Sequence, residues 1–258
     1  MGRADELRKE LCWEPRPAWD RMTERERREA FGLAEEYRAF LDRAKTEREA
    51  VREVTRMAAE RGFGRDPDRP LWVHRGKLVA LALLGERPPE EGLRIVVSHL
   101  DAPRLDLKQN PLYEEASLAL LKTQYYGGIK KYQWVTRPLA IHGVVVRRDG
   151  TQLEVCVGEA EDDPVFTVLD LLPHLARKVQ YEKKLAEAIP GEKLNVLVGS
   201  LPLEDEEAKE RVKLEVLRLL RERYGLVEED FVSSELEVVP AGRARDVGFD
   251  RSLIGGYG

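Results

Sequence analysis

Long apolar runs are missing from this sequence, and that excludes a chain built around a membrane-spanning helix. No stretch approaches the ~20 apolar residues that a bilayer crossing needs, and the mean hydropathy is -0.47. The first residues, Met1-Gly2-Arg3-Ala4-Asp5-Glu6, are polar and hold no apolar core of a secretory leader, so the cytoplasm is the expected compartment. Cysteine is scarce as well: Cys12 and Cys156 stand far apart beside apolar neighbours, which excludes a disulfide framework or a zinc knuckle and predicts reduced, buried thiols. Charge of one sign is not separated into large blocks. The 43 Lys and Arg are interspersed with 48 Asp and Glu for a net charge of -5, which leaves a nucleic acid no basic face to bind. Asparagine and glutamine are few while arginine and glutamate abound, a balance expected where surface ion-pair networks gain value at high temperature.

What remains is a globular chain of 258 residues, long enough to bury a sizeable core in one large or two ordinary domains. Thr23-Glu24-Arg25-Glu26 is a capping-box signature, and Ala30, Leu33, Ala34, Tyr37, Phe40, Leu41 and Ala44 follow at helical spacing. Thr46-Glu47-Arg48-Glu49 repeats the signal before a second helix with Val51, Val54 and Ala58 on one face and Gly62 beyond its end. Leu71 to His74 and Lys77 to Leu84 read as a hairpin turning at Arg75-Gly76, and Leu93 to Asp101 as the next strand. Further strands are expected at Gln133 to Val135, Leu139 to Val146, Leu153 to Val157, Asn195 to Gly199 and Ser234 to Val239. Helices are expected over Leu169 to Ala188 and from about Glu206 to Tyr224, the second opened by Glu204-Asp205-Glu206-Glu207. The tail from Arg245 is rich in glycine and shows no closing helix.

The chemistry centres on Val96-Val97-Ser98-His99-Leu100-Asp101-Ala102-Pro103-Arg104. An apolar run suits a strand covered on both faces, and α/β sheets place their chemistry where such strands end. His99 then stands at the rim of a crevice with Asp101 two residues along. An imidazole that binds a metal through one nitrogen usually gives its other N–H to a carboxylate, so the pair makes sense as ligand and orienter. Of the other histidines, His74 is expected at the surface and His142 packed in a strand, while His174 lies in an apolar helical stretch. Gly127-Gly128 reads as a tight turn with positive φ.

With these residues in hand, the chain resembles the aspartyl aminopeptidase and vacuolar aminopeptidase I family of zinc metallopeptidases, in particular its bacterial branch. The resemblance is most specific in Val97 to Lys108, in Tyr125-Tyr126-Gly127-Gly128-Ile129-Lys130-Lys131-Tyr132-Gln133-Trp134, and in the tail from Ala244 to Gly258. It implies an α/β fold: an α/β/α metallopeptidase catalytic domain interrupted by an inserted β-rich dimerisation domain. The expected division is 1–102 for the first part of the catalytic domain, 103–239 for the insertion and 240–258 for the return.

By the same resemblance His99 is the first ligand of a two-metal site, Asp101 is the carboxylate that orients it, and His174 reaches from one subunit into the active site of its partner. The implied cofactor is zinc, two ions per complete site, with cobalt or manganese also suited. The implied partners are a peptide substrate and further copies of the chain, as a dimer or a dodecamer. The remaining ligands and the general base are expected beyond Gly258, so the chain is expected to be the N-terminal portion only. The activity expected by family is removal of N-terminal residues, with acidic ones preferred. The alternative is a catalytically inactive truncated subunit that serves as an oligomerisation or binding module.

Overall fold

The computed structural model describes residues 2–258. Three helices come first: α1 (Arg3–Leu11), α2 (Glu24–Arg43) and α3 (Glu47–Glu60). Both expected capping boxes form. The Thr23 and Thr46 hydroxyls accept from the backbone N–H of Glu26 and Glu49, and each glutamate accepts from the N–H of its threonine in return. Replacing Thr46 by Ala is expected to cost about 1 kcal/mol, read from the urea midpoint against a Thr46→Ser control that keeps the acceptor. Val51 and Ala58 of α3 are buried, whereas Leu33 and Tyr37 on the expected apolar face of α2 stay exposed. The first helix buries nothing and was not foreseen.

The hairpin follows as β1 (Leu71–His74) and β2 (Leu78–Leu81), turning where Arg75 and Gly76 both take positive φ. They are the first two of the three residues between the paired His74 and Leu78, and positive φ at both turns the chain with the twist of the strands. The expected strand over Leu93 to Asp101 is absent. Residues 92–103 form neither helix nor strand, and Val96 is 97% exposed. An apolar strand of this kind is stable only between two neighbours that pair with it, and no described residue supplies either one.

Two long strands that sequence reasoning missed come next, β3 (Arg104–Glu115) and β4 (Leu118–Tyr126). They are followed by β5 (Leu139–Val146), β6 (Gln152–Val157) and β7 (Thr167–Val168). The helical stretch is shorter than expected and broken in two, α4 (Pro173–Val179) and α5 (Leu185–Ala188). Then come β8 (Val196–Gly199), α6 (Arg211–Tyr224) and β9 (Ser234–Pro240). The acidic run at 204–207 lies in turns ahead of α6 rather than in its first turn, and Gln133 to Val135 makes only a single bridge, from Val135 to Val168. The tail closes as a small hairpin of β10 (Arg245–Val247) and β11 (Leu253–Gly255).

Seven strands make one antiparallel sheet in the order β6-β5-β9-β3-β4-β8-β7. Because successive side chains point to opposite faces, each central strand divides its residues cleanly. Leu105, Ile141, Val145, Val155, Val157, Leu236 and Val238 form the apolar core with Val212, Leu226 and Phe231 on or after α6. The alternate positions, Arg104, Asp106, His142, Glu154, Cys156, Glu235 and Glu237, face the other way, and several pair with α3: Arg48 with Glu235, Arg52 with Glu154, and Glu49 with His142. Gly143 permits the close pairing of β5 with β9, since a Cβ there would stand 1.9 Å from the carbonyl oxygen of Glu235. The fold is thus a mixed α/β layer structure, with a dry interface on one side of the sheet and a charged interface on the other.

Candidate metal centre

The charged face is where the histidine motif is moored. Arg104 opens β3 and is only 6% exposed, yet it meets three carboxylates: Glu47 at 2.8 Å, Asp106 at 2.7 Å and Glu237 at 3.2 Å. One oxygen of Glu47 and one of Glu237 are buried without a hydrogen-bond partner. Burial, and next the adjacent Glu47 carboxylate, push the Glu237 carboxyl well above its ordinary value, so it carries a proton far above the usual carboxylate range. Arg104 pairs directly with Tyr126 across the β3–β4 ladder, and its guanidinium lies 4.2 Å from the centre of the Tyr126 ring.

Tyr126 in turn donates its hydroxyl to Asp101 Oδ2 at 2.8 Å. This bond is the first cause that holds the Asp101 carboxyl below its ordinary value. Asp101 presents its other oxygen to His99: Nδ1 lies 3.1 Å from Oδ1 and 2.8 Å from the Asp101 carbonyl oxygen. Both of these are acceptors, so Nδ1 carries the hydrogen and Nε2 is left with a free lone pair. The His99 side chain is 82% exposed, and no hydrogen bond among the described residues engages its Nε2. The backbone between is pinned at Pro103, whose carbonyl accepts from the Tyr257 hydroxyl at 3.0 Å and whose ring packs under Gly127, a residue with positive φ. The turn reading of the glycine pair therefore holds at Gly127; Gly128 keeps an ordinary φ.

The structure joins His99 with Asp101 as their spacing suggested. It does not bring His174 to them. His174 sits exposed at the start of α4, and no hydrogen bond or ion pair among the described residues links it to either. His74 is exposed as expected, and His142 is packed, 3% exposed, between Glu49 and Glu159. Both cysteines are exposed, against expectation: Cys156 lies on the charged face of β6, where alternation and not the apolar neighbours Val155 and Val157 sets its direction. Arg104, Tyr126 and Glu47 stand in motifs named above but were given no role at the site, and Glu237 was not singled out. A glutamate inside Leu236-Glu237-Val238-Val239 was the available sign, because a charge within a central strand must be paired when buried.

As a zinc site the donor set is partial. One imidazole nitrogen with a fixed tautomer is what a zinc ligand requires, but no group of three or more His, Cys, Asp or Glu among the described residues is placed to hold a metal ion. The residues present fit one ligand and its orienting carboxylate rather than a full coordination sphere.

Comparison with known proteins names the class to which this half-site belongs. The family described as aminopeptidase I zinc metalloprotease (M18) matches residues 40–258, and the chain belongs to it. A probable M18 family aminopeptidase 1 of Clostridium acetobutylicum is 49% identical over 261 residues, covering 96% of this chain and 56% of that protein. The crystal structure of an M18 aminopeptidase from Thermotoga maritima superposes with a TM-score of 0.85 at 45% identity, over 94% of this chain and 54% of that one. The yeast aminopeptidase 1 dodecamer structure, at 17% identity and a TM-score of 0.60 over 86% of this chain and 51% of that one, shares the fold. The chain spans about half the length of the curated relatives it matches. No helix is long and apolar enough to cross a membrane among the described residues.

Proposed function

We propose that this chain supplies one part of a two-zinc aminopeptidase centre, in which His99 binds metal through Nε2 and Asp101 orients it. The carrying observation is the geometry at His99, an exposed side chain whose Nδ1 is committed to Asp101 while Nε2 makes no hydrogen bond among the described residues. A zinc pair, when bound, would supply Lewis-acid polarisation of a scissile carbonyl and a bound water of lowered pKa, with His99 as one of its ligands. Asp101 keeps the Nδ1 proton in place, Tyr126 and Arg104 hold Asp101, and Tyr257 fixes the turn at Pro103. Cobalt or manganese would suit the same imidazole. The substrate is a peptide with a free N-terminus, acidic first residues being preferred, and the reaction belongs to the cytoplasm.

Residues 103–239 act as the dimerisation domain, a reading supported by the confinement of the seven-stranded sheet to Arg104–Pro240. His174 serves the active site of a partner copy; its exposed position beside exposed Leu171, Leu172 and Leu175 supports this. The dodecamer of yeast aminopeptidase 1 supports assembly into a homo-oligomer. A second reading, an oligomerisation or binding module without peptidase activity, is favoured for the chain on its own by the lack of any three-donor group among its described residues.

Metal content by plasma mass spectrometry after zinc loading and desalting, with turnover of an aspartyl or glutamyl anilide from the same sample, tests both readings. The isolated chain is expected to hold less than one zinc and to release no anilide, and His99→Ala to lower the zinc to background. Two zinc ions with turnover would mean that local residues complete the site. Zinc unchanged by His99→Ala would defeat the ligand assignment.

A further inference from the structure

We propose that Tyr126 is a positioning residue for His99, acting through Asp101; this rests on the reading of His99 as a metal ligand. A carboxylate held at one oxygen can pivot about its Cβ–Cγ bond and trade its partner for water. Asp101 is held at both. Oδ2 accepts from the Tyr126 hydroxyl and Oδ1 faces His99 Nδ1. Tyr126 is itself fixed from two directions: its backbone pairs with Arg104 in the β3–β4 ladder, and its ring lies against the Arg104 guanidinium. That guanidinium is locked in the charged interface by Glu47, Asp106 and Glu237. A continuous line of contacts thus runs from the buried face of the sheet to an imidazole at the surface. Neither His99 nor Asp101 belongs to a strand or helix, and an exposed side chain on irregular backbone has little else to hold it.

The chemical consequence concerns which ring nitrogen is bare. A neutral imidazole free in water prefers its hydrogen on Nε2, the tautomer that blocks this nitrogen as a ligand. Asp101 reverses the preference by accepting from Nδ1, and Tyr126 keeps Asp101 where it can. Loss of the hydroxyl leaves the Asp101 carbonyl as an acceptor, so the reversal is weakened rather than removed. Outer partners of this kind commonly change metal affinity by about 10–100-fold.

The test is Tyr126→Phe, which keeps the ring over Arg104 and deletes only the hydroxyl. Long-range proton–nitrogen NMR on the metal-free, histidine-labelled chain at about pH 8.5, where imidazole is neutral, reads the tautomer directly, with His99 assigned by a His99→Gln variant. The expected result is mainly Nδ1–H in the parent chain and at least a doubling of the Nε2–H fraction in the variant, with an unchanged melting temperature. Cobalt titration of both chains is expected to show about tenfold weaker binding in the variant. An Nε2–H fraction equal in the two chains would overturn the role of Tyr126. Failure of the parent chain to bind cobalt, with the tautomer still responding to the mutation, would instead count against His99 as a ligand and leave the positioning of the ring established.

Discussion

Arg104→Met is expected to lower the free energy of unfolding by about 3–5 kcal/mol, because it removes one partner from a buried ionic group and leaves the others uncompensated. Among the described residues the guanidinium is the only cation paired with Glu47, Asp106 and Glu237, and Glu47 and Glu237 each have a side-chain oxygen with no hydrogen bond. Methionine keeps much of the apolar stem, so the loss reads the charge rather than a cavity. Urea unfolding gives the number. Arg104→Met combined with Glu47→Gln is expected to recover part of it, since the second change removes a buried carboxylate that has lost its counter-charge. A loss below about 1 kcal/mol, the range of exposed ion pairs, would mean that water reaches the cluster and that Arg104 does not organise this face.

Stability is also expected to fall as the solution turns alkaline, through His142. Burial opposes the imidazolium, but contacts with the Cys156 sulfur, Glu159 and Glu49 outweigh it and lift the pKa from 6.5 to about 11. A group whose pKa is higher in the folded than in the unfolded chain stabilises fully below the unfolded value and loses that stabilisation as pH rises to the folded value. The window for His142 is therefore from about 6.5 to about 11, each unit of difference corresponding to about 1.4 kcal/mol. Glu237, also raised, acts in the same direction from the ordinary carboxylate range upward. Glu49 and Glu159 are lowered: burial opposes their charged forms and the His142 contact overcomes it, so their stabilisation is lost in acid below about 4.5. The urea midpoint should consequently peak between about pH 4.5 and 6.5 and decline steadily at pH 8 and 9. His142→Gln should flatten the alkaline decline and lower the midpoint at pH 6. A parent midpoint higher at pH 9 than at pH 6 would show that His142 is neutral in the folded chain.

Both results concern the face of the sheet that sequence reading saw least. The capped helices, the β1–β2 hairpin and strands β5, β6 and β9 were legible because caps, turn residues and apolar runs are local signals. The β3–β4 pair was not. Its residues, as in Arg104-Leu105-Asp106-Leu107-Lys108, mix charge with leucine in a way that resembles exposed surface until a second layer of charged partners from α3 is known. The strand expected over Leu93 to Asp101 failed for the opposite reason, since its apolar pattern is sound but the neighbours it calls for are not among the described residues. At the site, the His99–Asp101 link was readable from spacing of two. Tyr126 and Glu237 were not, because each is brought there by pairing between strands distant in sequence. The M18 assignment rested on motifs and held across residues 40–258.

The Arg104 cluster has a bearing on when the half-site comes into being. Asp106 pairs with the guanidinium from two residues away, but Glu47 near the start of α3 and Glu237 in β9 reach it only when segments separated by nearly the whole sheet have met. Contacts of such long sequence separation carry the largest closure cost and are formed slowly. The tyrosine ring and the aspartate come together locally through the β3–β4 hairpin, but the guanidinium behind the ring is locked only by that meeting. A nascent or partly unfolded chain therefore carries His99 with its near neighbour Asp101 but without the buried anchor behind Tyr126, and the rigid form of the pair arises together with the completed sheet rather than ahead of it.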